Sequence, residues 1–536
     1  MPFPYSRLGR ILFISAVSCG PCLFITAFGQ TLTGSVTGLV TDPQGNVIPG
    51  AIVSVANPVS GFNRQATSDA AGSFSFSNVP FGSYHVTITA PGFASTTADA
   101  SVRNSVPVTL NPQLALSTVA ETVNVDAGAE DVVTNTPTAH TDLDASALSQ
   151  IPYQNTNGAV SSLLTLATPG IAQDSDGLIH AQGEHQDVQF SVDGQPITDQ
   201  QSRQFSNQIA ISSISSMNVI SGVPPAEYGD KASLVVQTTT KSGLGQKPNG
   251  TLYGGYGSFG TVSGGGSLGV GTQRFGSFTS IDVVNSGRFL DTPEFRPMHD
   301  YGNVENIFER LDAQISPKDS VHLDLSASRS WAQTPNQYDQ QSLGQGQRPS
   351  GKQDQRNEIK SFNTSAFWTH VLNASALLSS NVYVRQDQVH YYPSGNLFAD
   401  QPATLQQSRR LTNLGIKEDF TYAKGIQNLK AGVNIYQTPL SETFALGITD
   451  PRFNSPCLTS DGAPVTTPAD LTCTGVGETP NPAYLPNLLT YDLTRGGQLF
   501  HFNGTTDIKQ EAVYIEDQLN FGGWLLSGGV RADNYN

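Results

Sequence analysis

The chain is poor in charge. Of its 536 residues only 13% are Asp, Glu, Lys or Arg, with 28 basic against 44 acidic. That balance excludes a nucleic-acid partner, because neutralising phosphates takes Lys and Arg. Hydrophobic residues are also few, at 37%. After Gln30 no run approaches the about 20 apolar residues that a spanning helix needs. A chain of this kind enters a membrane only as a barrel, whose strands satisfy one another's backbone. Cysteine is scarce: there are four, two of them (Cys19 and Cys22) before Gln30. No segment supplies a nucleophile with its base, a metal-ligand cluster or a phosphate loop, so no catalytic residue, metal or cofactor is assigned and an enzyme is not expected. What is plentiful is glycine, 52 residues, together with uncharged polar side chains. That composition fits a barrel with a polar lumen and an apolar outer band.

The N-terminus reads as a signal peptide over residues 1–29. Arg7 and Arg10 precede an apolar run over 11–28, and Ala27, Phe28 and Gly29 form a small-residue cleavage site. Gly20 and Pro21 break the run and no stop-transfer charges follow, which argues against a membrane anchor. Export removes Cys19 and Cys22 and leaves Cys457 and Cys473 in a long loop-like segment. In an oxidising compartment these two most simply form a disulfide, with two free thiols as the alternative.

The fold class expected is mainly β. Residues 30–113 alternate apolar and polar residues in short runs at 35–40, 51–56, 73–76 and 84–90, separated by turn signals at 42–45, 57–58, 69–72 and 91–92; this predicts a small β-sandwich. Residues 114–138 read as a linker. Residues 139–245 mix helix candidates (145–151 and 158–166) with strands near 187–192, 217–221 and 234–240, an α/β globule. From 246 to 536 the period becomes two. Val321, Leu323, Leu325 and Ala327 oppose His322, Asp324, Ser326 and Ser328, and Trp524, Leu526, Val530 and Ala532 oppose Ser527, Arg531 and Asp533. About eleven such strands are counted. Short turns (317–319, 372–373, 424–425, 521–523) alternate with long connections (288–301, 331–355, 391–407, 438–504). That asymmetry is the signature of an outer-membrane barrel, short turns periplasmic and long loops outside.

Three motifs, in order, resemble the plug domain of TonB-dependent outer-membrane receptors: VSSLLTLATPGI at 160–171, QDVQFSVDGQPI at 186–197, and the stretch 214–243 with Gly222, Pro224, Pro225, Tyr228 and Gly229 in its turn. Many of these receptors carry a Gly-Gly pair where this chain has Ala232 and Ser233. The N-terminal sandwich resembles the carboxypeptidase regulatory-like domain through Gly38, Asp42, Gly45, Asp69, Gly72, Phe74, Gly82, Tyr84 and Gly92, a combination of the Oar-like type; in that family the domain has no catalytic residues of its own. Within the linker, Glu121, Thr122, Val123, Asn124 and Val125 look like a TonB box, which pairs as an added strand with a TonB-like energy-coupling protein in the periplasm. An ordinary extended linker is the other reading of these five residues.

Other motifs dissolve in context. The glycine pattern over 255–260 lacks a βαβ unit and 265–269 lacks a strand–turn–helix, so both read as glycine-rich barrel strand. His180 and His185 flank Glu184 without the helical zinc spacing or a third ligand. Together with Asp174 and Asp176 they read as candidate ligand contacts on the plug surface.

The resemblance implies import of a nutrient ligand (an oligosaccharide, a peptide or something siderophore-like) across the outer membrane of a Gram-negative bacterium. Inner-membrane proton-motive energy would drive it, with the sandwich in the periplasm and the barrel in outer-membrane lipid. The alternative is an outer-membrane carbohydrate- or peptide-binding or adhesion protein that transports nothing. Eleven is an odd count, and enclosing a plug takes about 22 strands. The chain therefore reads as the N-terminal half of a longer protein, its partial transmembrane β-barrel leaving two edges to be covered.

Overall fold

The structure, a computed structural model, describes residues 33–57, 62–80, 82–102, 108–116, 140–143, 148, 159–173, 179–181, 184–185, 188–197, 210–222, 224–229, 233–290, 299–316, 318–334, 354–373, 375–424, 426–466, 471–521 and 524–536. It is mainly β, with three parts in chain order.

The first part is a two-sheet sandwich. Strands β1 (Thr33–Leu39), β4 (Ser73–Pro80) and β7 (Val108–Leu110) form one sheet in the order β4-β1-β7. Strands β2 (Ile52–Asn57), β3 (Phe62–Thr67), β5 (Gly82–Thr89) and β6 (Thr96–Val102) form the other, in the order β3-β2-β5-β6. Alternation explains the core: Val36, Val53, Val55, Phe74, Phe76, Val86 and Ile88 are all buried between the sheets. Each such side chain contributes about 1.5–3 kcal/mol. Asp42 and Asp69 fix two of the turns, their carboxylates accepting from the backbone of Gln44 and Asn46 and of Ala71 and Ser73 respectively. The sequence showed β1, β2, β4 and β5 but not β3, β6 or β7. β3 and β6 carry few large apolar residues, and β7 is only three residues long.

The second part is the α/β globule. It comprises β8 (His140–Leu143), α1 (Ala159–Ala167), β9 (Ile171–Gln173), β10 (Ile179–Ala181), β11 (Glu184–His185), β12 (Val188–Val192), β13 (Gln195–Ile197), β14 (Ile214–Ser221) and β15 (Leu234–Thr240). Helix α1 buries Val160, Leu163 and Leu164, spaced i, i+3, i+4, against Phe190, Met217, Val219 and Val236. It stops at Pro169, with Gly170 left-handed (φ 79°) as helix ends require. The helix expected over 145–151 lies almost wholly outside the described residues. The main sheet runs β13-β12-β15-β14-β8, with β12 and β15 parallel and the other pairs antiparallel. Every residue of β15 is buried, because the globule's core covers one face and the barrel wall the other. Asp193 (φ 48°) and Gly194 (φ 89°) make the tight β12–β13 turn, which needs positive φ at both positions.

The third part is one antiparallel sheet of eleven strands: β16 (Asn249–Tyr256), β17 (Val262–Gly271), β18 (Phe275–Ser286), β19 (Gly302–Ser316), β20 (Asp319–Gln333), β21 (Arg356–Asn373), β22 (Ala376–Tyr392), β23 (Ala403–Lys424), β24 (Gln427–Ile448), β27 (Phe500–Phe521) and β28 (Trp524–Tyr535). Each pairs with the next in sequence, apart from a small hairpin, β25 (Cys457–Leu458) and β26 (Thr479–Pro480), inserted in the loop after β24. The period-two pattern has its expected effect. His322 and Asp324 point inward and are buried, while Trp524, Leu526 and Val530 are 69%, 50% and 71% exposed on the outer face.

Three of the four long connections are shorter than the sequence suggested. β24 runs to Ile448 and β27 begins at Phe500, so the largest excursion is 449–499. Crossing a bilayer takes about 9–11 residues of tilted strand. At 22 residues each, β23, β24 and β27 are about twice as long as such a crossing needs. Aromatic packing holds the extra length together: Phe444 stacks on Phe502 at 5.0 Å, and Tyr491 meets Phe500 edge-on at 5.4 Å. Within the excursion Cys457 and Cys473 are joined by a disulfide. Among the described residues no helix is long and apolar enough to cross a membrane.

Candidate functional site: the buried contact between plug and barrel wall

The globule sits against the inner face of the eleven-stranded sheet as a plug, and the contact is polar. Residues 224–229, between β14 and β15, bring Glu227 to the wall. Its Oε2 accepts from Lys430 Nζ and from Lys417 Nζ at 3.4 Å. Lys417 also pairs with Asp419 (3.5 Å), which accepts from the Tyr514 hydroxyl. The backbone of the same turn is held too. Ala226 N donates to Glu516 Oε2 at 2.8 Å, and Arg531 Nη1 donates to the Glu227 carbonyl at 2.9 Å. Gly229 leaves room for Arg531; a Cβ there would lie 2.0 Å from its Nε. A small cleft opens beside this turn, lined by Glu227, Tyr228, Lys417, Tyr436, Gln510 and Arg531 among others.

Burial alone would raise the Glu227 carboxyl. The ammonium groups of Lys430 and Lys417 outweigh it and bring the pKa down from 4.5 to about 2. Burial, with the Glu227 charge beside it, pushes the Tyr228 hydroxyl well up. A depressed carboxyl stabilises the state in which it is ionised. Its contribution is therefore complete above about pH 4.5 and disappears as pH falls through 2. Guanidinium midpoints for loss of plug docking should fall across that window, and Glu227→Gln should flatten the fall.

A second contact centres on Arg310 of β19. Nη1 donates to Asp193 Oδ2 at 3.2 Å and to Thr240 Oγ1 at 3.0 Å, and Nε donates to Asp312 Oδ1 at 3.0 Å. Asp193 is at the tip of the β12–β13 turn and also accepts from Thr240 N at 3.0 Å and Thr240 Oγ1 at 2.5 Å. His322 and Asp324 of β20 complete this buried group. Nearby, Gln195 and Asn363 exchange two hydrogen bonds at 2.8 and 3.0 Å. Ser242 donates to Asp312 at 2.7 Å and Ser212 donates to Asp282. The sandwich touches the same region, Arg64 donating to the Leu244 carbonyl at 3.1 Å.

The structure brings few of the sequence's candidates together. His180 stands directly across from His185 in the β10–β11 pair, with Ala181 opposite Glu184. Asp174, Asp176 and the linker residues Glu121, Thr122, Val123, Asn124 and Val125 lie outside the described residues, as does the signal peptide. Of the residues that do converge, Asp193 and Glu227 lie within the plug motifs though neither was singled out, and Arg310, His322, Asp324, Lys417 and Lys430 carry no local motif. Their one sequence signal is a charge on the water-facing side of an alternating strand or in a turn.

Known proteins bear this architecture out. Residues 35–115 match the family model of the carboxypeptidase regulatory-like domain. The chain superimposes on FpvA of P. aeruginosa, solved bound to heterologous pyoverdines, with a TM-score of 0.52 and 11% identity over 75% of this chain and 52% of that one. The chain has the plug-and-barrel fold of TonB-dependent outer-membrane receptors. The ferric citrate transporter FecA gives a TM-score of 0.52 and 12% identity over 75% and 56% of the two chains. The ferric-catecholate import receptor Fiu of E. coli K12 gives 0.50 and 13% over 75% and 60%. The chain thus spans about half to three-fifths of the length of these receptors. No curated protein matches its sequence.

Proposed function

We propose that this chain is the sandwich, plug and first strands of an outer-membrane transporter that admits a nutrient ligand by moving its plug. The observation that carries the reading is the character of the plug's seat. Its contact with the wall is built from buried charges and hydrogen bonds around Glu227 and Arg310. A permanent joint is better served by apolar packing, since buried ion pairs add little net stability over hydrophobic residues of the same shape. A seat of paired charges suits a plug that leaves and returns to one register. Ligand, an oligosaccharide, a peptide or an iron chelate, would bind from the side of the long loops and the β10–β11 hairpin. Residues 121–125, just ahead of the plug, would be taken as an added strand by a TonB-like periplasmic protein that draws on proton-motive energy. The sandwich would then lie in the periplasm, and the substrate would cross unmodified.

Val123→Pro tests this, because proline cannot donate to a strand ladder. Uptake of the cognate ligand by cells should fall severalfold while surface binding persists. Unchanged uptake would remove the coupling role from this segment. A protein that only binds or adheres would show ligand binding, no uptake and no sensitivity to the change.

A further inference from the structure

We propose that Asp193, His322 and Asp324 form a site for one divalent transition-metal ion that ties the plug to the barrel wall. Each offers a ligand atom, and these atoms lie within 4.8 Å of one another in a fully buried setting. Hydrogen bonding within the protein leaves the group unfinished. Neither carboxylate oxygen of Asp324 has a hydrogen-bond donor, nor does Nε2 of His322 have a partner. A buried carboxylate with no donor is costly unless a cation or a proton completes it. Three carboxylates, those of Asp193, Asp312 and Asp324, share this region with the guanidinium of Arg310 and, from the sandwich, the attraction of Arg64 for Asp312. The Arg310 guanidinium bonds Asp193 and Asp312 and donates nothing to Asp324.

The spacing suits an ion better than a direct hydrogen bond. His322 Nε2 and Asp324 Oδ2 are 3.7 Å apart, too far to bond. Two ligands of a tetrahedral zinc ion, each at about 2.1 Å, stand about 3.4 Å from one another. Asp193 can still take part, because its donors use three of the about four acceptor positions of a carboxylate. One imidazole and two carboxylates favour Zn²⁺, Fe²⁺ or Mn²⁺ over Ca²⁺ or Mg²⁺. Phe367 stacks on the His322 ring at 4.2 Å and holds its orientation. The ligands come from both sides of the interface, so the ion would act as a removable bolt between plug and wall.

The test uses the full chain in detergent micelles, stripped with chelator and then dialysed against Zn²⁺ or Co²⁺. The expected result is one equivalent of zinc per chain, a visible cobalt spectrum of low-coordinate nitrogen and oxygen ligation, and slower proteolysis of the plug when metal is present. Asp324→Asn and His322→Gln, each checked for unchanged β content, should lose all three. Zinc retained equally by both variants would mean an adventitious ion only and overturn the site. Absence of zinc in the parent chain, with Asp324→Asn gaining stability, would show that a proton shared between Asp193 and Asp324 takes the ion's place and would also overturn it. Should either variant fail to fold, the parent's cobalt spectrum decides alone: without imidazole ligation the proposal fails.

Discussion

Replacing Glu227 by alanine should release the plug from its seat, lowering the stability of docking by about 3–5 kcal/mol, the usual cost of stripping one partner from a buried ion pair. The size follows from what remains. Lys417 and Lys430 are nearly buried, with side-chain exposures of 6% and 14%, and both converge on the carboxylate that is lost. Asp419 can answer Lys417, but both ammonium groups lose the acceptor they share. Limited proteolysis and guanidinium midpoints followed on the plug should report the change, and the barrel strands should be spared. A companion variant separates charge from packing. Glu227→Met together with Lys430→Met removes a pair at once and should regain much of the loss, since well-packed apolar residues replace buried ion pairs at little cost.

The second large effect is expected at Arg310. Its side chain is only 1% exposed and is the largest of the fully buried ones among the described residues. Arg310→Met keeps much of the volume but removes the guanidinium that stands between Asp193 and Asp312, so the change should again cost about 3–5 kcal/mol. Asp193→Asn in the same background should recover part of it by relieving the carboxylates of one charge. Because Glu227 and Arg310 contact different strands, their effects on docking should add closely when combined. Strong non-additivity, read from the same guanidinium midpoints, would mean that the plug is released as one body at the first break.

These two residues mark the limit of what was legible in the sequence. The strands of the sheet were legible, because a wall with an apolar outer face and a polar inner face imposes a period of two that residues such as Val321 to Ser328 display directly. The plug's order of elements was legible from motifs around Pro169, Asp193 and Tyr228. Strands β3, β6 and β7 were not, because the first two carry few large apolar residues and the third is only three residues long. The full length of β24 and β27 was not either, since beyond a bilayer's thickness the lipid-facing alternation is no longer required. The seat itself joins Glu227 to Lys430 and Asp193 to Arg310 across 203 and 117 positions of the chain. At such separations alternation shows that Lys430 and Arg310 point inward, but not which partner waits there.

The place of β8 has a mechanical meaning. It is the first described element after the linker, and it lies at the margin of the plug sheet, paired to β14 alone through four residues, His140 to Ile220 and so on to Leu143 and Met217. Tension applied to the linker would therefore arrive first at an edge strand held by one short ladder. It can be stripped away a pair at a time, while β12, β15 and β14 keep their ladder to one another. A pull that began at β15 would have to break two ladders at once and tear the seat at Thr240 with them. The chain is threaded so that load on the linker would meet a short rim ladder first, opening the sheet from its edge while the central strands keep their pairing to one another.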